Sequence, residues 1–125
     1  IAGLLAGVRF VRRQGTEAIL HHERVLTRRA AERLERLPGV ETFACPEGTA
    51  QAGVLSFRVS GRDVEEIGEA LAERGIAVRA GLHCAPLAHR TAGTLDTGTV
   101  RVSFSAFSTL REVDTLSRAL REILK

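Results

Sequence analysis

Two stretches of this chain alternate between apolar and polar residues, and they limit what it can fold into. In Val54-Leu-Ser-Phe-Arg-Val59, Leu55, Phe57 and Val59 alternate with Ser56 and Arg58; from Thr99 to Ser105, Val100, Val102 and Phe104 alternate with Arg101, Ser103 and Ser105. Period two is the side-chain repeat of a strand with one buried face, so both runs predict strands that need a covering layer.

The covering layer is legible in segments of helical period. Leu4, Leu5, Val8 and Val11 predict a helix from Leu4 to Arg13 that ends near Gly15. Thr16 then reads as the N-cap of a long amphipathic helix to Leu37, with Ile19, Leu26, Ala30, Leu34 and Leu37 on one stripe and Pro38-Gly39 as its stop. Asp63 and Glu66 have capping-box spacing ahead of Val64, Ile67 and Leu71, predicting a helix to about Arg74 that Gly75 terminates. Thr109 and Glu112 repeat that signal before Val113, Leu116, Leu120 and Leu124. Val40 to Phe43 predicts a short strand, Cys45 to Ala52 a loop, and Ile76-Ala-Val78 another strand. The fold class this implies is α+β: a small mixed or antiparallel sheet covered by helices on one side, in one domain over residues 1–125. Within it, residues 1–37 read as leading helices and 38–125 as an α/β sandwich.

After Val78 the pattern breaks. Gly81 supplies the backbone freedom for a sharp turn, His83 and Cys84 follow side by side, and Pro86 is expected to end regular structure. The resulting loop, from about Ala80 to Gly98, is long enough to suggest function. A free cysteine is commonly an inert packing residue. Cys84 instead sits at a strand end on a loop without apolar periodicity, beside His83 and five residues after Arg79, and cationic neighbours favour the nucleophilic thiolate. Cys84 is therefore the candidate catalytic residue. Arg101 is the second candidate: the alternation points it away from Val100 and Val102, and a planar guanidinium fixed on a strand can grip a carboxylate through two parallel hydrogen bonds. The competing reading is an ordinary exposed arginine.

Composition excludes several function classes. Hydrophobic residues make up 44% of the chain, too many for a mainly disordered one. Two cysteines do not make a secreted disulfide framework, and no stretch reads as a membrane span or signal peptide, so the expected setting is reducing and cytoplasmic, away from membranes. Of the 18 basic residues only Lys125 is a lysine, so Schiff-base chemistry cannot come from the body of the chain. The arginines of the long helix, Arg24, Arg28, Arg29, Arg33 and Arg36, interleave with Glu17, Glu23, Glu32 and Glu35, and Trp and Tyr are absent. That is a solvated face, not a nucleic-acid site. His21 and His22 lack partners at metal spacing and read as surface or domain-contact residues. With no methionine anywhere, the chain reads as a fragment or processed product.

The residues then carry a resemblance. Arg79-Ala-Gly-Leu-His-Cys-Ala-Pro-Leu, followed by Thr99-Val-Arg-Val-Ser and Phe107-Ser-Thr-Leu-Arg-Glu-Val-Asp114, resembles the C-terminal small domain of the class V aminotransferase superfamily, in its Suf-type cysteine desulfurase branch. The likeness extends over nearly the whole chain. It implies a fold-type I enzyme that uses pyridoxal 5'-phosphate to convert L-cysteine to L-alanine, leaving a persulfide. Carried onto matching positions, Cys84 would accept the sulfur and Arg101 would bind the substrate carboxylate, with Arg79 and His83 supporting the site. Leu82 stands where many members have a second histidine. The cofactor lysine and the aspartate that pairs with the pyridine nitrogen would lie in an N-terminal cofactor-binding domain, so this chain is expected to hold no cofactor firmly and to be inactive alone. The implied partners are that domain, a sulfur-acceptor protein and a second subunit of a homodimer.

Three other readings stay open. A selenocysteine lyase or an aminotransferase-like relative would share the fold. A stand-alone sulfur carrier would use only the thiol. A metal site of His83, Cys84 and His89 would need Cys45 or another fourth ligand.

Overall fold

The computed structural model describes residues 1–46 and 51–125. The chain runs α1 (Ala2–Gln14), α2 (Thr16–Leu34), β1 (Val40–Thr42), β2 (Val54–Val59), α3 (Val64–Ala72), β3 (Arg79–Gly81), α4 (Pro86–Ala92), β4 (Thr99–Ser103) and α5 (Leu110–Ile123). The four strands form one sheet in the order β1-β2-β4-β3, and every pairing is antiparallel. No helix is long and apolar enough to cross a membrane among the described residues.

The register explains the layering. Leu55 pairs with Val102, Phe57 with Val100, and Ala80 with the same Val100, so these residues share the face covered by α2, α3 and α5. Leu26 and Leu34 of α2, Leu71 of α3 and Leu120 of α5 meet Leu55, Phe57 and Val100 there, all fully buried. Each such side chain contributes roughly 1.5–3 kcal/mol by leaving water. The alternate positions, Ser56, Arg58, Arg79 and Arg101, fall on the opposite face, where α4 lies near the Gly81 end.

The helix ends follow their capping chemistry. Thr109 and Glu112 form the full capping box expected of α5. At α3 only half of it forms: the Asp63 carboxylate accepts from the amides of Glu65 and Glu66. Gly15, in a left-handed backbone at φ 83, turns the chain between α1 and α2 and takes the N-cap position predicted for Thr16, which is already helical. α2 stops at Leu34, short of the predicted Leu37, because Leu37 folds back on a turn to the Leu34 carbonyl and enters the core as a loop residue. The other boundaries shift by a few residues: β1 ends at Thr42, α3 at Ala72 and β4 at Ser103. The predicted loop from Cys45 to Ala52 includes residues 47–50, which lie outside the described residues.

Three expectations fail around the cysteine. Ile76 to Val78 is not a strand; Ile76 donates back to the Leu71 carbonyl, closing the end of α3, and pairing with β4 begins only at Arg79. Ile76 and Val78 are apolar because they pack against the core from a connecting segment. Pro86 does not end regular structure but starts α4, at the first helical position, where its missing amide has no partner to lose. The segment from Ala80 to Gly98 is therefore a strand end, a tight turn and a two-turn helix closed by Gly93 at φ 66. The apolar residues of α1 also differ from their pattern: Leu4, Leu5, Val8 and Val11 are exposed, while Phe10 stacks on Phe107 at 5.1 Å between ring centres.

Candidate active site

The site grows out of the pairing of β3 with β4. Gly81, the last residue of β3, lies opposite Thr99, the first of β4. Gly81 has φ 99 and Gly98 has φ 67, and the two backbones touch: a methyl group on Gly98 would lie 3.0 Å from the Cα, carbonyl carbon and oxygen of Gly81. A Cβ in that contact would push the Gly81 main chain aside by a few tenths of an ångström and would be strained at that φ, which favours glycine. Beyond it the chain turns through His83 at φ 52 and Cys84 at φ 60, two consecutive non-glycine residues in the left-handed region. Each costs about 1–3 kcal/mol and persists only where neighbours over-determine it.

Those neighbours are visible. The Ala85 amide donates to the Leu82 carbonyl, and the His89 amide to the Ala85 carbonyl, so the turn feeds straight into α4. The His83 imidazole reaches across to β4, where Nε2 donates to the Thr99 carbonyl at 3.1 Å and lies 3.3 Å from its hydroxyl. In the neutral ring a proton on Nε2 leaves Nδ1 bare, and Nδ1 is buried without a partner among the described residues. His89 stands 5.8 Å from His83 between ring centres, and its own Nδ1 is held by the Thr94 hydroxyl at 2.8 Å. His83 does not act as a cation here. Burial first, and then the Arg101 charge, hold its pKa below the ordinary 6.5; His89 and Arg79 add to this, against a raising contribution from the Thr99 backbone bond. Of the cationic neighbours expected around Cys84, the imidazole therefore drops out.

Cys84 itself is exposed, with a free thiol, at the apex of the turn. Arg101 is half-buried on β4, two residues beyond Thr99, and its Nε is buried without a hydrogen-bond partner among the described residues. Arg79 lies directly opposite Arg101 across the ladder and is exposed. The neighbouring arginine on the same face, Arg58, is satisfied by Glu41 at 2.6 Å and by the Gly93 carbonyl at 3.2 Å. No carboxylate pairs with Arg79 or Arg101 among the described residues. The structure thus brings Arg79, His83 and Arg101 to one end of the sheet, with Cys84 on the turn beside them. Thr99 and Gly98 belong to the same arrangement and were missed in the sequence, although a glycine preceding the second alternating run was a readable signal.

The other candidates separate from this group. Cys45 lies beyond β1, its amide bonded to the Gln51 side chain, at the rim of an apolar hollow of about 340 Å³ that also touches Phe43, Val54 and His89. No three His, Cys, Asp or Glu side chains are grouped as metal ligands among the described residues. His21 is exposed on α2, and His22 bonds the Ser108 carbonyl ahead of α5.

Known proteins align with this chain over almost its whole length. The family model described as aminotransferase class-V matches residues 1–116. A protein of Mycolicibacterium paratuberculosis named as a probable cysteine desulfurase is 45% identical over 97% of this chain, which spans 17% of that protein. The apo structure of a cysteine desulfurase from Thermococcus onnurineus superimposes with a TM-score of 0.89 at 35% identity, covering 97% of this chain and 30% of that one. A variant of the lyase C-DES, solved with glycine covalently linked to its pyridoxal phosphate cofactor, superimposes with a TM-score of 0.70 at 25% identity over 97% of this chain and 28% of its own. The chain is thus well under half the length of the proteins it matches.

Proposed function

Because this chain belongs to the class-V aminotransferase family, we propose that it is the C-terminal small domain of a cysteine desulfurase, in which Cys84 takes sulfur from L-cysteine and Arg101 holds the substrate carboxylate. The observation that carries this reading is the exposed thiol of Cys84 in left-handed backbone on the turn that follows β3, with Arg101 on the paired strand β4 holding a buried Nε that has no hydrogen-bond partner among the described residues. A nucleophile on a strained turn is held in one orientation, and an unsatisfied buried guanidinium nitrogen fits a ligand oxygen arriving from outside.

Pyridoxal phosphate is the cofactor of this reading, and the residues of this chain do not fit its attachment. The only lysine is Lys125, the exposed last residue of this sequence, outside the Cys84 turn and the paired strands β3 and β4. The cofactor and its lysine are therefore assigned to an N-terminal domain of the parent, and the steps given to this chain are those of its own side chains. Arg101 orients the amino acid through its carboxylate. The Cys84 sulfur bonds to the substrate sulfur as the carbon–sulfur bond breaks, so that cysteine and a thiol become alanine and a persulfide with no net oxidation. Arg79 adds positive charge beside Arg101, and neutral His83 shapes the turn. The persulfide then passes to a sulfur-acceptor protein in the cytoplasm, from a parent that works as a homodimer.

Mass analysis of Cys84 in the full-length enzyme after exposure to L-cysteine tests this directly. The expected result is a gain of one sulfur atom on Cys84 with matching alanine release. Alanine release that continues unchanged in a Cys84→Ala enzyme overturns it.

A further inference from the structure

We propose that Thr99 and Gly98, at the start of β4, are positioning residues for Cys84, Thr99 acting through the His83 imidazole and Gly98 through the backbone of Gly81. Two residues in left-handed backbone, His83 and Cys84, need something on each side to hold them. On one side Gly98 lies so close to Gly81 that a notional Cβ would stand 3.0 Å from its main chain and crowd it. This fixes where the turn leaves the sheet. On the other side the His83 ring is pinned to Thr99, which is buried, by a hydrogen bond from Nε2 to a main-chain carbonyl that cannot move without moving β4. Arg101 is two residues along that strand. One short segment, Gly98 to Arg101, therefore sets both the thiol and the guanidinium, and their relative placement does not depend on a flexible loop.

The imidazole bond also fixes a tautomer. With Nε2 donating, Nδ1 is bare and buried without a partner. A proton arriving on Nδ1 finds no acceptor among the described residues, and burial first, then Arg101 of β4, with His89 of α4 and Arg79 of β3, disfavours it, against a raising contribution from the Thr99 backbone bond.

The catalytic value of the latch rests on Cys84 being the sulfur acceptor; its geometry does not. The experiment is hydrogen exchange read by mass spectrometry on peptides spanning residues 82–86 of the full-length enzyme, in wild type, His83→Phe, His83→Gln and Gly98→Ala. Phe keeps the ring and loses the donor, while Gln restores a donor. The expected result is exchange about tenfold faster in His83→Phe and Gly98→Ala, with His83→Gln returning toward wild type, the size expected for one buried hydrogen bond. In His83→Phe kcat for persulfide formation falls while KM for cysteine stays within about twofold, because the imidazole places the thiol and not the substrate. Exchange at wild-type rates in His83→Phe, or a His83→Gln enzyme as loose as His83→Phe, overturns the proposal. If His83→Phe does not fold, His83→Gln and Gly98→Ala decide it alone. Cys84→Ala with undiminished alanine release would sink the functional reading and leave the latch intact, since exchange is measured without turnover.

Discussion

Arg79 and Arg101 face one another directly across the β3–β4 ladder, two like charges as a cross-strand pair with no carboxylate paired to either among the described residues. Like charges in that arrangement destabilise a sheet, so the pair has a cost in the unliganded chain. Replacing exposed Arg79 by Thr should therefore leave thermal stability unchanged or raise it, by up to about 1 kcal/mol. A fall of the melting temperature in that variant would show that Arg79 contributes a contact that the pairing does not reveal.

Arg101 is expected to behave differently from its neighbour. Its Nε is buried and its guanidinium is the group with the geometry for a bidentate grip on a carboxylate. Arg101→Lys keeps the charge and loses the fork. In the full-length enzyme it should lower kcat/KM for cysteine by about ten- to a hundredfold, mostly through KM. A Lys variant with wild-type KM would remove Arg101 from substrate binding.

Cys84 carries opposing demands from stability and chemistry. At φ 60 a glycine is free of the strain that any side chain meets, so Cys84→Gly should stabilise the fold by about 1 kcal/mol. The same change, like Cys84→Ala, should abolish cysteine desulfuration. Selenocysteine cleavage, which depends less on the thiol, should survive both. Calorimetry and alanine assays with the two substrates read this together, and a Gly variant less stable than wild type would mean that the turn is held by the thiol and not against it.

Much of this was legible in the sequence because it is local. The alternation of Leu55, Phe57 and Val59, and of Val100 and Val102, gave both central strands, and Thr109 with Glu112 gave the start of α5. The region after Gly75 was misread for an equally physical reason. Ile76 and Val78 are apolar as strand residues are, but they pack from a connection, and a run this short carries no period to tell the two apart. Pro86 reads as a breaker in the sequence, yet it occupies the one helical position that welcomes it. Thr99 was hidden because its part is a backbone carbonyl, which every residue has, and the contact between Gly81 and Gly98 joins positions whose adjacency only the sheet register creates. The neutrality of His83 follows from burial, which the sequence beside Cys84 did not announce.

That neutrality sets a pH dependence. The folded chain holds His83 below its ordinary pKa of 6.5, while the unfolded chain releases it to that value. Between the two pKa values the unfolded state binds more protons, so stability rises with pH through that window. The contribution of His83 is intact well above pH 6.5, shrinks as pH falls through 6.5, and stops changing below the lowered folded-state value. His83→Gln carries no titratable ring, so the difference in stability between wild type and this variant should move in the variant's favour as pH is lowered from 8 toward 5. Urea titrations at several pH values measure it. A wild-type-to-variant difference that is flat across the range, or that moves in favour of wild type on acidification, would mean that His83 is protonated in the folded chain and that the bond to Thr99 is made by an imidazolium.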